Sequence, residues 1–412
     1  MIRATLVVVA IAVAACSQSP HYIVPDIAVG EREFPRTAEA HTLSGIVGGN
    51  RVDLLVNGDA IFPAMLAAIR GARSSITLAT YLWETGAVAD EMAAALAERC
   101  LAGVGVNVLV DAVGSHRMTK QNRQLLSDSG CHFVRFNPLN SLDPRRFNNR
   151  NHRRVLVVDG RIGFTGGTGI GDSWTGNGRR PGHWRQTDIR VEGPVVRHLQ
   201  AVFAENWRTE TKILLGGDAY FPEIEPQGAV RAQSVKSSPR AGTAESYNLF
   251  IVALEGARTS IAITSPYFVP DQGVLNALRR AAARGVRVSV LVAGETGTFV
   301  DRVVRMASMG EFGDALAAGI RIYEYRGALL HAKTIAIDGT LAAVGSVNLD
   351  ERSFGLNHEE SLVVYDADVA RRLETIFAED LRFAREVTHD AWKRRGIGYF
   401  LELFVLPIRN QL

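Results

Sequence analysis

Lysine is almost missing from this chain. Of 46 basic residues only Lys120, Lys212, Lys236, Lys333 and Lys393 are lysines, and 43 acidic residues hold the net charge to +3 over 412 residues. So small an excess argues against nucleic acid as a partner, because phosphate backbones are bound through concentrated positive charge. Cysteine is scarce as well. Cys16, Cys100 and Cys131 form no CxxC pair and no His/Cys cluster, so no metal centre is expected. Nor is there an apolar run of the about 20 residues that a membrane-spanning helix needs. What remains is ordinary for a folded protein, 47% hydrophobic and 22% charged, with length enough for two cores.

The N-terminus carries a short apolar run. Arg3 precedes Ala4 to Ala15, and the run closes on Val13-Ala14-Ala15-Cys16. Charge, apolar core and small residues fall in the order of a secretory signal, and the end resembles a bacterial lipobox. Residues 1–16 are therefore expected to be a signal, cut before Cys16, whose thiol is acylated. With Ser17 and no aspartate next, the outer membrane is permitted. The protein is expected to be bacterial, exported and lipid-anchored on the periplasmic side, with residues 17–45 as a tether. Cys100 and Cys131 are then left to pair or not in an oxidising compartment; their spacing does not decide. At the other end, within 391–412, Trp392-Lys393-Arg394-Arg395 leads into the apolar Tyr399 to Pro407. That segment reads as a helix in the membrane interface or as a terminal helix docked on the second domain.

Most informative is an internal repeat with an offset of about 180 residues. Ala72-Arg73-Ser74-Ser75-Ile76 and Ala257-Arg258-Thr259-Ser260-Ile261 each lead into an apolar strand. Alanine-rich helices follow at 88–102 and 273–283, then valine-rich strands at 103–110 and 285–292. Strand and helix alternate in each copy, which predicts α/β layered domains at 46–213 and 234–390, with 214–233 as linker.

The chemistry sits further along each copy. One reads His152-Arg153-Arg154, Asp159-Gly160 and Gly166-Gly167; the other reads His331-Ala332-Lys333, Asp338-Gly339, Gly345-Ser346 and Asn348. Residues two apart on a strand share a face, so each copy sets an imidazole beside a cation. One group attacks a phosphodiester while the other neutralises its oxygens. The aspartates stand at an odd offset before glycine, which reads as a turn anchor. Gly166, Gly167, Ser346 and Asn348 are expected to approach the phosphate. Trp83-Glu84, Asp111 and Ser115-His116 at strand ends read as pocket or loop, and Tyr267 and Phe268 as pocket or core.

These paired segments resemble the HxKxxxxD signature of the phospholipase D superfamily over about residues 50–390, and the stretch from Gly345 to Glu360 resembles cardiolipin synthases most. The resemblance implies two tandem α-β-α domains related by a pseudo-twofold axis, with one site where they meet. It counts His152, Arg154, Asp159, His331, Lys333, Asp338 and Glu359 as catalytic, with Glu359 at the position that orients a histidine. One histidine carries the phosphatidyl group and the other moves the proton. No metal or cofactor is implied. The implied reaction makes cardiolipin from phosphatidylglycerol, with phosphatidylglycerol or phosphatidylethanolamine as second substrate, at a membrane surface. A phosphodiester hydrolase and a weakened membrane lipoprotein are the alternatives. The first copy departs from the pattern. Arg154 replaces a lysine, Gly169 a common asparagine, and Gln186 the aspartate that orients a histidine, with Asp188 on the same strand face available to substitute. The division of roles between the histidines stays open.

Overall fold

The computed structural model describes residues 22–138, 148–239, 245–294 and 299–394, without the side chains of 299–304, 306 and 307. The expected signal, Cys16 and nearly all of the apolar C-terminal segment lie outside these residues. Among the described residues no helix is long and apolar enough to cross a membrane.

The valine-rich and isoleucine-rich segments become strands that are buried on both faces, as Ser75–Thr80 and Glu359–Tyr365 are along their whole lengths. Continuous apolar strands of this kind need helices above and below. Ala87–Leu101 is such a helix. Val88, Ala89, Met92, Ala93 and Leu96 are buried at helical spacing, while Asp90, Glu91 and Glu98 face out.

All the main strands join one 15-stranded sheet. Its second-copy half runs Ala384–Val387, Arg321–Tyr325, Arg287–Ala293, Ser260–Thr264, Thr334–Ile337, Leu341–Gly345, Glu359–Tyr365 and Val230–Ser237. The first-copy half continues Val47–Val56, Thr187–Glu192, Ile162–Thr165, Val155–Val158, Ser75–Thr80, Gly105–Asp111 and His132–Phe136. Apart from the extra edge strand Ala384–Val387, the second half repeats the first in reverse order. That is what a pseudo-twofold axis between Val230–Ser237 and Val47–Val56 produces, and it bears out the tandem duplication. The two halves are one body at their seam. A continuous core beneath it takes Val155, Val157 and Ile189 from the first copy and Ala336, Val344 and Leu362 from the second.

Two segments differ from expectation. Strand Val230–Ser237 begins inside the segment 214–233. Within the tether, Phe34–Thr42 is a helix that buries Phe34, Ala38 and Thr42. Phe34 and Ala38 enter the second copy's core beside the helix Glu245–Glu255. Three buried positions four apart are too few to stand out as a period in a sequence of mixed polarity.

Cys100 and Cys131 form a disulfide with Cα atoms 5.6 Å apart and a sequence separation of 31. It ties the end of the helix Ala87–Leu101 to the residue before the strand His132–Phe136. Closing a loop of that size restricts the unfolded chain, worth about 3–4 kcal/mol by chain-entropy arguments. The double variant Cys100→Ser/Cys131→Ser is expected to lose that much in reversible denaturant unfolding. An unchanged midpoint would mean that the bridge constrains nothing.

Candidate active site

Both histidines lie just ahead of a central strand, His152 before Val155–Val158 and His331 before Thr334–Ile337. Each is anchored to the opposite copy. The His152 N–H donates to the His358 carbonyl at 3.0 Å, and the His331 N–H donates to the Arg185 carbonyl at 2.8 Å. Short parallel pairings carry the exchange, Asn151 with His358 and Leu330 with Arg185. The two motifs are thereby drawn to the seam.

His152 is 8% exposed and His331 7%. Nδ1 of His152 lies 2.8 Å from Glu359 Oε1 and 3.0 Å from Oε2. Glu359 belongs to the second copy, and the structure sets it on the histidine of the first. Ser346 Oγ donates to Glu359 Oε2 at 2.5 Å, and Asn357 Nδ2 donates to Oε1 at 3.3 Å. With Nδ1 on the carboxylate, Nε2 of His152 faces the site. There it meets Arg154 Nη2 at 3.1 Å.

The cations are arranged alike. Arg154 Nη1 donates to the His152 carbonyl at 2.7 Å, and Lys333 Nζ donates to the His331 carbonyl at 2.6 Å. The residue between histidine and cation points away, as strand alternation requires. Ala332 enters the packed interior. Arg153 is 1% exposed and donates to the Glu359, Val202 and Ser237 carbonyls, to Asn206 Oδ1 and to Ser238 Oγ. Arg153 thus holds the backbone of the residue that holds His152. It was not singled out in the sequence, because an arginine beside a motif reads as surface charge until its burial is known.

Electrostatics join the two copies into one site. Burial, then the charges of Arg154, Lys333 and Arg352, hold His152 well below its usual pKa. Burial, then Lys333, Arg154 and His152, does the same to His331. Both imidazoles are therefore neutral at neutral pH. Lys333 is itself well below its ordinary value through burial and then Arg154. Burial pushes Glu359 up to about 7. Burial is the leading cause throughout, lowering Arg154, Lys333 and both histidines and raising Asp188 and Glu359.

Asp159 and Asp338 are not in this cluster. Asp159 accepts from the N–H groups of Arg73, Ser74 and Ser75, and Asp338 from those of Arg258, Thr259 and Ser260. Both sit at positive φ before a glycine, tying a turn to the start of a neighbouring strand. They do not reach the histidines. Asp111 is an anchor too, accepting from Arg150 Nε and from the Asn151 N–H just ahead of His152. Trp83 and Phe268 are fully buried, and Glu84 pairs with Arg117.

Gly166 and Gly167 approach Asp188, whose Oδ1 accepts from the Gly167 N–H at 3.1 Å. Any Cβ on Gly166 would fall 2.0 Å from that oxygen. Asn348 is buried with its Oδ1 lacking a partner among the described residues. Aromatic rings wall the site. Tyr81 meets the His152 ring edge-on at 5.1 Å, and Trp174 and Trp184 lie 5.9 and 5.0 Å from the His331 ring. Their signal in the sequence was slight, Tyr81 standing just past the strand Ser75–Thr80 and Trp184 two residues before Gln186. Among the described residues no group of three or more His, Cys, Asp or Glu side chains is placed to hold a metal ion.

Three comparisons with known proteins bear on this geometry. The family model described as cardiolipin synthase, PLD-like domain, matches residues 65–207 and 250–381. Cardiolipin synthase A of Pseudomonas putida is 36% identical over 368 residues, 88% of this chain and 76% of that one. The major cardiolipin synthase ClsA of Bacillus subtilis is 34% identical over 352 residues, covering 84% and 72%. Among solved structures, phosphatidylserine synthase of Haemophilus influenzae superposes with a TM-score of 0.67 at 13% identity, over 92% of this chain and all of that one. At that identity the likeness is one of fold.

Proposed function

Because the chain belongs to the phospholipase D-like family of cardiolipin synthases, we propose that it is a phosphatidyltransferase that makes cardiolipin, working through a phospho-histidine. The observation that carries this reading is the shared site, in which two neutral imidazoles, one per copy, face the same pair of cations. Phosphatidylglycerol is the donor, with phosphatidylethanolamine as the other candidate, and a second phosphatidylglycerol is the acceptor.

His152 is the nucleophile, since its carboxylate partner fixes the tautomer with Nε2 free and strengthens it as a base. Nε2 attacks phosphorus, the N–P bond forms, and the P–O bond to the glycerol headgroup breaks. His331, protonated as the anionic phosphodiester enters, gives its proton to the departing oxygen. In the return step His331 takes the proton of an acceptor hydroxyl. That oxygen attacks phosphorus, and the N–P bond breaks to release product. Arg154 and Lys333 neutralise the non-bridging oxygens throughout. No step calls for a metal, so EDTA is expected to leave the rate unchanged. Slowing the return step should load the intermediate. His331→Ala protein mixed with a phosphatidyl p-nitrophenol, whose leaving group needs no proton, is therefore expected to show an acid-labile phosphatidyl adduct on His152 by mass spectrometry, and an adduct elsewhere would reverse the roles.

The membrane partner is proposed on the surface around Phe383. Arg179 stacks on Phe383 at 5.0 Å, and the Arg326 N–H donates to the Phe383 carbonyl. Phe383 is 36% exposed, and Arg180, Arg326 and Arg382 around it are exposed with no carboxylate partner among the described residues. Near an anionic leaflet each such arginine contributes about 1 kcal/mol. Arg326→Glu/Arg382→Glu is expected to weaken sedimentation with phosphatidylglycerol vesicles at least about tenfold and to leave phosphatidylcholine vesicles unaffected. Equal loss on both would remove the electrostatic argument. The bonded cysteines favour an oxidising compartment, which supports export and anchoring through Cys16.

A further inference from the structure

The two histidines are not held alike. The strand Glu359–Tyr365 aligns Ser361 opposite Gly345, and the strand Thr187–Glu192 brings Asp188 opposite Gly166 by the same register. Glu359 and Gln186, two residues earlier, are thus counterparts, as are Ser346 and Gly167, one residue later. In one copy the carboxylate at 359 is fixed by the Ser346 hydroxyl. In the other, position 167 offers no hydroxyl, position 186 is an amide, and the carboxylate has moved to position 188.

That exchange leaves a signature. Gln186 is wholly buried, and its Nε2 donates to Asp188 Oδ1 at 2.8 Å and to the Thr187 carbonyl at 3.3 Å. Asn57 clamps its backbone from both sides, accepting from its N–H at 3.0 Å and donating to its carbonyl at 2.9 Å. Two acceptors claim the NH2 group, so the amide oxygen must point the other way. Gln186 Oε1 has no partner among the described residues, and His331 Nδ1 makes no bond of good geometry, although the Gly167 backbone lies near enough to the ring to favour its charged form. The amide packs against Gly167 beside the His331 backbone. A Cβ on Gly167 would lie 2.7 Å from Gln186 Nε2 and 3.1 Å from both Gln186 Oε1 and the His331 carbonyl. A buried acceptor and a buried donor, each lacking a well-placed mate, stand where the other copy has its carboxylate–imidazole bond.

We propose that Gln186, locked by Asp188, is the positioning residue for His331, accepting its Nδ1–H as the site closes on substrate so that Nε2 is presented to the departing and incoming oxygens. This rests on the two-histidine reading above. Catalytic hydrogen bonds that are open in an empty site commonly tighten on binding. The consequence is a division of labour. His152 has a carboxylate and is the stronger base. His331 has a neutral amide, with Lys333, Arg154 and His152 as the charged and titratable groups facing it, and its imidazolium is the readier proton donor.

The test is a charge exchange in the full-length protein, read by kcat and by NMR of selectively labelled histidine with His331 assigned through a His331→Gln control. Asp188→Asn alone should lower kcat at least about tenfold with KM little changed, because a neutral amide accepts from Gln186 more weakly than a carboxylate and its own NH2 can turn against it. Gln186→Glu alone should do the same, because two carboxylates then crowd one another. Combined, they restore the net charge and should recover to within about threefold of the parent, with the His331 pKa raised by about 1 or more. A combined variant no better than the worse single one, or one with an unmoved His331, overturns the proposal. Gln186→Met, nearly isosteric, serves if the charged variants fold poorly. With an unreactive phosphonate analogue of phosphatidylglycerol bound, it should abolish the Nδ1–H tautomer preference of His331, and an unchanged tautomer sinks the idea. The NMR readings need no turnover, so a failure of the transferase reading would leave them intact.

Discussion

His152→Ala is expected to lower phosphatidyl transfer by about 10⁴-fold or more, the scale seen when a covalent nucleophile is removed. His331→Ala is expected to approach that loss with natural lipids, for which general acid catalysis contributes about 10² to 10⁴. The two variants should separate when the leaving group changes. A phosphatidyl p-nitrophenol departs without a proton, so His331→Ala should still release one equivalent of nitrophenolate in a burst and then stall. His152→Ala should show no burst at all, because the N–P bond never forms. A burst from His152→Ala would place the nucleophile on His331. Substantial steady turnover by either variant with natural lipid would end the two-histidine account.

Glu359→Gln is the second large effect. The amide nearly matches the carboxylate in shape and can still accept from Ser346, so the fold should persist. What is lost is the charge against Nδ1 of His152, and an amide NH2 turned toward that nitrogen would select the wrong tautomer. Replacements of this kind at an imidazole–carboxylate pair cost about 10³ to 10⁴ in kcat. The parent enzyme should show a milder form of the same loss with pH. Burial has pushed Glu359 up to about 7, so its charged form disappears as pH falls through that value. Transfer should fall along an acid limb that belongs to the Glu359–His152 pair as a unit. The limb should be absent from the residual activity of Glu359→Gln. Its survival there would assign it to another group.

Much of this was legible in the sequence. The offset of about 180 residues already paired strand with strand, and the valine-rich runs fall where Gly105–Asp111 and Arg287–Ala293 are found. The two-residue spacing of His331 and Lys333 placed both on one face. What stayed hidden depended on contacts between the copies. Glu359 lies 28 positions beyond His331 and 207 beyond His152, yet it bonds His152. Only the crossed pairings, Asn151 with His358 and Leu330 with Arg185, make that contact necessary. The same crossing makes Gln186 a neighbour of His331. In sequence it looked like a defect of the first copy; in space it belongs to the histidine of the second. Arg153 was hidden for another reason. Its value lies in six hydrogen-bond acceptors drawn from three separate segments, and linear sequence does not reveal such convergence. The fusion of both halves into one sheet was equally unreadable. It follows from Val47–Val56 pairing with Val230–Ser237, two strands about 180 residues apart whose outer edges look free until they meet.

The measurement that bears most directly on the central claim is product analysis with a single lipid. The full-length protein would be incubated with phosphatidylglycerol vesicles and EDTA, beside a His331→Ala control, and the lipids separated and weighed. Cardiolipin and free glycerol in equal amounts, absent from the control, is the result expected. Phosphatidic acid and glycerol without cardiolipin would contradict it and make water the acceptor. Cardiolipin that vanishes with EDTA would contradict the chemistry assigned to the two histidines.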